Sequence, residues 1–260
     1  MADLPAPKPT LPKHPTSGAA RRMFALGAIY LLLGLAATVV FTHATVAGAA
    51  AAFVGALFMA AGVRQWRVGP AVMLNNAAHD LLTQGRYAEA MALLDTIPPA
   101  RRVGLVGMAV LSQRAYVLFA QGDAAAAVAV SAEALALKLP LLARAQGRQY
   151  QLVLRASRAL MLAAAGDAAG ARAEADRVDG APETQPMLRG ATALARAVTY
   201  ARAGEREALV QELARSRPVL DLVSGREAML VRTLDRLAAV PAGGAYRAPV
   251  LKLHAMLGDG

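Results

Sequence analysis

Twenty consecutive residues from Met23 to Thr42 carry no charge, and after a short polar break at residues 43–45 a second uncharged run of 18 extends from Val46 to Val63. At about 1.5 Å per residue the first run spans roughly 30 Å as a helix, the thickness of a bilayer core. Both runs therefore read as transmembrane helices, joined into a hairpin over residues 23–67. Lys8, Lys13, Arg21 and Arg22 precede the hairpin, and Arg64, Trp66 and Arg67 close it. Basic residues at both ends place both ends in the cytoplasm. A signal peptide is the competing account of the first run, with Thr42 and Ala44 as small residues for cleavage. Its leading tail and apolar run are both long for one, and cleavage would still leave the second span.

Small residues recur every four positions in the second span, with Ala47, Ala51 and Gly55 on one stripe and Gly48, Ala52 and Ala56 on the next. Such stripes let another helix approach closely. The visiting helix is either the first span or one from a partner membrane protein or a second copy of the chain. Neither span holds a charged residue, so an ion path or proton relay has no residue to carry it.

Mean hydropathy of +0.38 and 56% hydrophobic residues agree with a membrane segment. Of the 260 residues 63 are Ala and only 5% are aromatic, a composition that favours closely packed helices over sheets. An all-α chain is expected. There is no Cys, and the four His (14, 43, 79 and 254) are scattered, so neither a metal site nor a cofactor is expected. The net charge is +10, but 24 of the 28 basic residues are Arg, which points to a GC-rich, bacterial genome. After residue 100 these arginines alternate with carboxylates, as in ArgAlaGluAlaAspArg at 172–177, and do not form a nucleic-acid-binding face. Residues 1–22 form a basic, proline-rich tail expected to be solvated and extended.

From Pro70 onward the punctuation becomes regular. Gly85, Gly122, Gly166 and Gly204 each separate two apolar helical stretches, and Pro98 with Pro99, Pro140, Pro182 and Pro218 close successive units. A glycine ends the first helix of each unit and a proline cannot continue the second, so each unit is a helical hairpin. Val153, Ala156, Leu160 and Ala163 recur at helical spacing, as do Ala193, Ala197 and Tyr200. One hairpin cannot cover its own apolar face, so neighbours share a core and the terminal units need caps. Residues 225–240, with Met229, Leu230 and Leu234 as an apolar stripe, suit a solvent-facing cap helix. Residues 241–260 form a loop-like tail.

The segment GlyArgTyrAlaGluAla at 85–90 resembles the turn of the tetratricopeptide repeat family, with Gly85, Tyr87 and Ala90 in the family's Gly, Tyr and Ala places. Gly122, Ala127 and Ala134 fill the equivalent places in a second unit, and Gly166 and Ala171 in a third. The fourth keeps Gly204, with Ala208 one place early and Leu209 at the small position. The resemblance implies an α-solenoid of about four repeats plus a capping helix over residues 71–240. It also implies a concave face, lined by the first helix of each hairpin, that holds a peptide. Carried over to this chain, the groove positions are Asn75, His79 and Thr83, then Ser112, Tyr116 and Phe119, and in the fourth unit Leu194 and Arg202. Tyr116 and Phe119 are the expected anchors, because aromatic side chains supply much contact area at interfaces.

The chain lacks the GxSxG, GxGxxG, GxxxxGK[ST] and HExxH patterns, and His79 beside Asp80 points about 100 degrees away from it on a helix. Binding rather than catalysis is expected. The expected function is that of a bacterial inner-membrane scaffold that recruits a protein partner through the groove. Two alternatives stand beside it: a structural subunit of a membrane complex assembled through the Ala47, Ala51 and Gly55 stripe, and a sensor of a small ligand.

Overall fold

The computed structural model describes residues 16–40, 45–140, 143–223 and 225–240, without the side chains of 16–17, 19–20, 34–40, 45–48, 64–65 and 225–226. Among the described residues every long element is an α-helix and there is no strand. The tails expected at 1–22 and 241–260 lie outside the described residues, except for the start of the first helix, as does most of the hairpin turn at 41–44. The chain divides into two compact units, Met1–Ala77 and Ala78–Gly260.

The first unit is a helical hairpin made of α1 (Thr16–Val40) and the first part of α2 (Thr45–Thr83). Its two helices touch through glycines. A Cβ added to Gly55 would lie 2.6 Å from the Leu31 amide nitrogen and 2.7 Å from the Gly27 carbonyl oxygen, and one added to Gly27 would lie 2.9 Å from the Gly55 carbonyl oxygen. Backbone meets backbone there, which only a residue without a side chain permits. Tyr30 and Phe58 stack across the pair with ring centroids 6.2 Å apart. The large apolar side chains point the other way: Leu32 is 66% exposed, Phe53 65%, Leu33 60% and Leu57 54%. Ala25, Ala28, Ala49, Ala50, Ala56, Ala60 and Ala61 are exposed beside them, so the outer surface of the hairpin is apolar in both its large and its small residues.

Among the described residues no single helix is long and apolar enough to cross a membrane. The segments Ala49–Val63 and Trp66–Thr83, taken together, reach that length and composition. The first expected span ends at Thr42, beyond the last described side chain of α1 at Leu33. The two segments meet at a bend of 42°, and α2 continues through Pro70 to Thr83. The proline removes one backbone donor, a loss that the long flanking helix tolerates.

The second unit stacks helical hairpins in chain order. It contains the end of α2 with α3 (Tyr87–Asp95), α4 (Gly104–Ala120) with α5 (Ala124–Ala136), α6 (Arg144–Ala165) with α7 (Ala168–Asp179), and α8 (Pro186–Ala203) with α9 (Arg206–Leu220). A last helix, α10 (Gly225–Ala238), follows. The two helices of each of the last three hairpins pack together, α6 also packs on α5 and α8, and α8 on α7 and α10. Each expected turn glycine adopts positive φ, from 75° at Gly85 and Gly204 to 92° at Gly122 and Gly166. Left-handed backbone ends the helix and costs glycine nothing. In two turns the next residue starts the following helix at once: the Asp123 side chain accepts from the Ala126 amide at 2.9 Å, and Asp167 from the Gly170 amide at 2.8 Å.

The small residues placed at helix crossings are buried, with Ala90, Ala127 and Ala134 at 0% exposure and Ala171 at 1%. Of the expected stripe on α6, Ala156, Leu160 and Ala163 are buried, but Val153 is exposed and its neighbour Leu154 takes the inward place. Pro218 does not close its unit: α9 runs through it and stops at Leu220. A proline so close to the end removes one bond of the last turns, and the helix ends where few bonds remain to be lost.

Charged side chains tie successive hairpins together where apolar area is thin. Glu174 of α7 is 7% exposed and accepts from Arg155 of α6 at 2.7 Å and from Arg177 at 2.9 Å. Arg158 of α6 lies 3.8 Å from the same carboxylate and donates to Ser131 of α5 at 2.9 Å and to the Val128 carbonyl. A buried carboxylate with several donors around it is a satisfied one, and here its donors come from α6 and α7, with Arg158 extending the network to α5.

Candidate functional site

Tyr116 and Phe119 lie three residues apart on α4, so they share one face of the helix. That face meets α6 and α10. A cavity of about 20 Å³, room for one water, is lined by Tyr116 and Phe119 of α4, Ser157, Leu160 and Met161 of α6, and Glu227 and Leu230 of α10. Two further hairpins separate α4 from α10 in the chain, so the start of α10 folds back to the surface where a bound peptide was expected. Leu230, Val231 and Leu234 of α10 are buried in one core cluster with Phe119, Leu160 and Met161. The N-terminal end of α10, with Glu227 and Leu230, therefore borders the face expected to hold a partner, while the helix as a whole packs on α8 and α9.

This placement corrects two expectations. Phe119, at 4% exposure, is a core residue rather than an open anchor. The α10 helix packs on α8 and α9 of the final hairpin, where a cap was expected, but Met229 is not part of its inward stripe. Its inward stripe is Leu230, Val231 and Leu234, and Met229 is 40% exposed. The physical reason is position: α10 packs on α8 and α9, and its N-terminal end also reaches the Phe119 and Leu160 side chains.

The remaining expected groove positions do not converge on the cavity. Ser112, one turn from Tyr116, lies near the Tyr150 hydroxyl of α6. His79 is exposed, and Thr83 donates to the Asp80 carbonyl of its own helix at 2.8 Å. Leu194 is fully buried. Arg202 is exposed on the last turn of α8, 3.5 Å from where a Cβ on Gly166 would be. Asn75 belongs to the other unit, where it is buried and its Oδ1 has no hydrogen-bond partner. Of the membrane stripe, Gly55 is buried against α1, Ala51 and Ala52 are half-buried, and the Ala47 and Gly48 side chains lie outside the described residues. The small residue with the tightest fit is thus already used by the first helix and not by a partner.

Glu227 is the residue that sequence reasoning missed. It faces the cavity beside Tyr116 without a cation among the lining residues. Burial pushes its carboxyl above the usual glutamate range, and burial, followed by the nearby Glu227 charge, pushes the Tyr116 phenol up. Tyr116 therefore stays neutral at ordinary pH, and among the described residues the cavity presents to Glu227 the Ser157 hydroxyl and apolar side chains besides. The sign of the pH effect follows. A carboxyl raised in the folded state favours folding while it is protonated, so this stabilisation is complete below the unfolded value, near 4.5, and is lost as pH rises through the folded value. Glu227→Gln keeps the shape and removes the charge. It is expected to raise the thermal midpoint at pH 7 and to reduce the fall in midpoint between pH 5 and pH 7. Identical pH slopes for the two proteins would contradict the placement of Glu227.

A second depression, open and polar at about 530 Å³, lies between α7, α8 and α9. Arg196 bridges Asp176 at 2.9 Å and Asp179 at 2.6 Å, and the Arg172 guanidinium sits 5.5 Å from the centroid of the Tyr200 ring. Asp176 and Asp179 recur at helical spacing, which was the available signal. The charges are mostly spent on one another, so this cluster joins α7 to α8 rather than presenting a reactive set. Among the described residues no three His, Asp or Glu side chains come together as metal ligands would. Compared with protein-family models, curated proteins and solved structures, the chain matches none.

Proposed function

We propose that the chain is a membrane-anchored, tetratricopeptide-like scaffold that recruits a protein partner to the cytoplasmic face of a bacterial inner membrane. The observation that carries this proposal is the hairpin of α1 and α2, which packs on glycines and turns its large apolar side chains outward, joined in one chain to a stack of helical hairpins with a buried core of its own. Lipid is the solvent that matches such an outer surface. Anchoring holds the stack near the bilayer, where a partner met at the same surface binds at a raised effective concentration.

In this proposal the concave face is exchanged rather than open. Glu227 and Leu230 of α10 stand beside Tyr116 and Phe119 at this face, and an amphipathic helix of the partner takes their place. Glu227 favours the exchange, because it leaves a desolvated carboxylate for water whenever α10 departs. The absence of cysteine permits a direct test. Tyr116→Cys with Glu227→Cys, joined by a cleavable bifunctional maleimide, pins α10 to α4. The pinned full chain is expected to lose partner capture from detergent-solubilised membranes at least tenfold, and cleavage of the linker to restore it. Capture that is unchanged by pinning would sink the exchange.

A further inference from the structure

We propose that the end of the N-terminal hairpin bearing Arg21, Arg22, Trp66 and Arg67 is a docking surface for the headgroups of anionic phospholipids, an inference that rests on the transmembrane reading of this hairpin.

Three observations carry it. The two helices bring the ends of this stretch together, since a Cβ on Gly62 of α2 would touch Met23 and Phe24 of α1 at 3.4 Å, and α2 bends by 42° just beyond it, before Trp66. Arg22 directly precedes Met23, and Trp66 and Arg67 lie about one turn beyond Gly62. All four side chains are exposed, Trp66 at 65%. Charge is the second observation. Between Asp3 and Asp80 the sequence holds six Lys and Arg and not one Asp or Glu, so no carboxylate of this stretch competes for the arginines. This contrasts with the repeat unit, where carboxylates accompany the arginines and Arg155, Arg177, Arg196 and Arg217 each pair with one. The third is the neighbouring surface: Leu26 is 46% exposed, Ile29 52% and Val63 38%, directly beside the basic end.

Guanidinium groups bind phosphate oxygens in pairs, and an exposed indole next to an apolar belt sits at headgroup depth. Phosphate alone would fit nucleic acid equally well, but nucleic acid offers nothing to the apolar belt one turn away, whereas acyl chains do. A phospholipid satisfies both at once. A zwitterionic headgroup carries its own cation and gives the arginines less, so the preference is for net negative lipid.

Trp66 is the only tryptophan of the chain, so its fluorescence reports on this surface alone. The full chain is reconstituted into vesicles of four parts phosphatidylcholine to one part phosphatidylglycerol. Bromine is placed either on all the phosphatidylglycerol or on an equal amount of the phosphatidylcholine, with its acyl position fixed. The expected result is at least twofold stronger quenching by the brominated phosphatidylglycerol, with the excess lost in Arg21→Gln/Arg22→Gln/Arg67→Gln and reduced in high salt. Quenching of that variant by fully brominated phosphatidylcholine vesicles, unchanged from the parent, shows that its hairpin is still inserted. Equal quenching by the two brominated lipids in the parent overturns the anionic preference and leaves the transmembrane reading standing. Absence of quenching by either overturns both.

Discussion

Phe119→Ala will destabilise the repeat unit by about 3–5 kcal/mol, the usual cost of removing a buried phenyl ring. The ring is 4% exposed and already borders a cavity, so its loss joins a ring-sized void to an existing one, and the helices around it are tied to further neighbours that resist collapse. In a unit of this size each kcal/mol moves the thermal midpoint by about 2–4 °C, so a fall of roughly 6–20 °C is expected by circular dichroism. The measurement separates two roles for this residue. A core residue weakens the fold with no partner present, whereas an open anchor would leave the midpoint within a degree or two and lose only capture. Tyr116→Phe removes a hydroxyl and keeps the ring, and its expected shift is much smaller.

Gly55→Leu will separate the two helices of the hairpin. The first atom of any side chain at this position falls 2.6–2.7 Å from the backbone of Leu31 and Gly27, and backbone cannot rotate aside as a side-chain tip can. Overpacking of that kind costs about 1–3 kcal/mol in soluble cores, which lowers the equilibrium constant for pairing roughly 5- to 150-fold. Tyr30→Cys and Phe58→Cys mark the contact, because those rings stack between the helices. Oxidation in detergent is expected to link the two cysteines efficiently in the parent and poorly with Gly55→Leu, while Ala60→Leu, at an exposed site, leaves linkage intact. Equal linkage in all three would mean that the glycines do not make the contact.

The same two residues mark how far the sequence could be read. Gly55 lies in a four-residue stripe that any reader can find, because close helix approach demands small residues at that spacing. Gly27, its partner on α1, lies two turns from Ala20 and Gly34 rather than one, a sparser stripe than the four-residue spacing of α2. The turn glycines at 85, 122, 166 and 204 were legible for a local reason: positive φ selects glycine whatever lies elsewhere in the chain. Phe119 was legible as apolar but not as covered. Part of its cover is the start of α10, more than 100 residues later, and an amphipathic stripe states that a helix has an inner face without stating what that face meets. Glu227 left no signal for the same reason, since one carboxylate on a mixed-charge helix looks solvated until a fold buries it. Pro218 misled because a proline near the end of a helix and one just past it look alike in sequence.

The central claim is that the hairpin spans a bilayer and leaves the repeat unit inside the cell. The chain has no cysteine, so single cysteines can be placed at will. Thr45→Cys lies at the start of α2, at the turn of the hairpin, and Glu183→Cys lies on an exposed loop between α7 and α8. Each is exposed to a membrane-impermeant maleimide in intact cells and again after permeabilisation. The account predicts that Thr45→Cys is labelled in intact cells and Glu183→Cys only once the membrane is opened. Labelling of Glu183→Cys in intact cells, or protection of Thr45→Cys until permeabilisation, would contradict it.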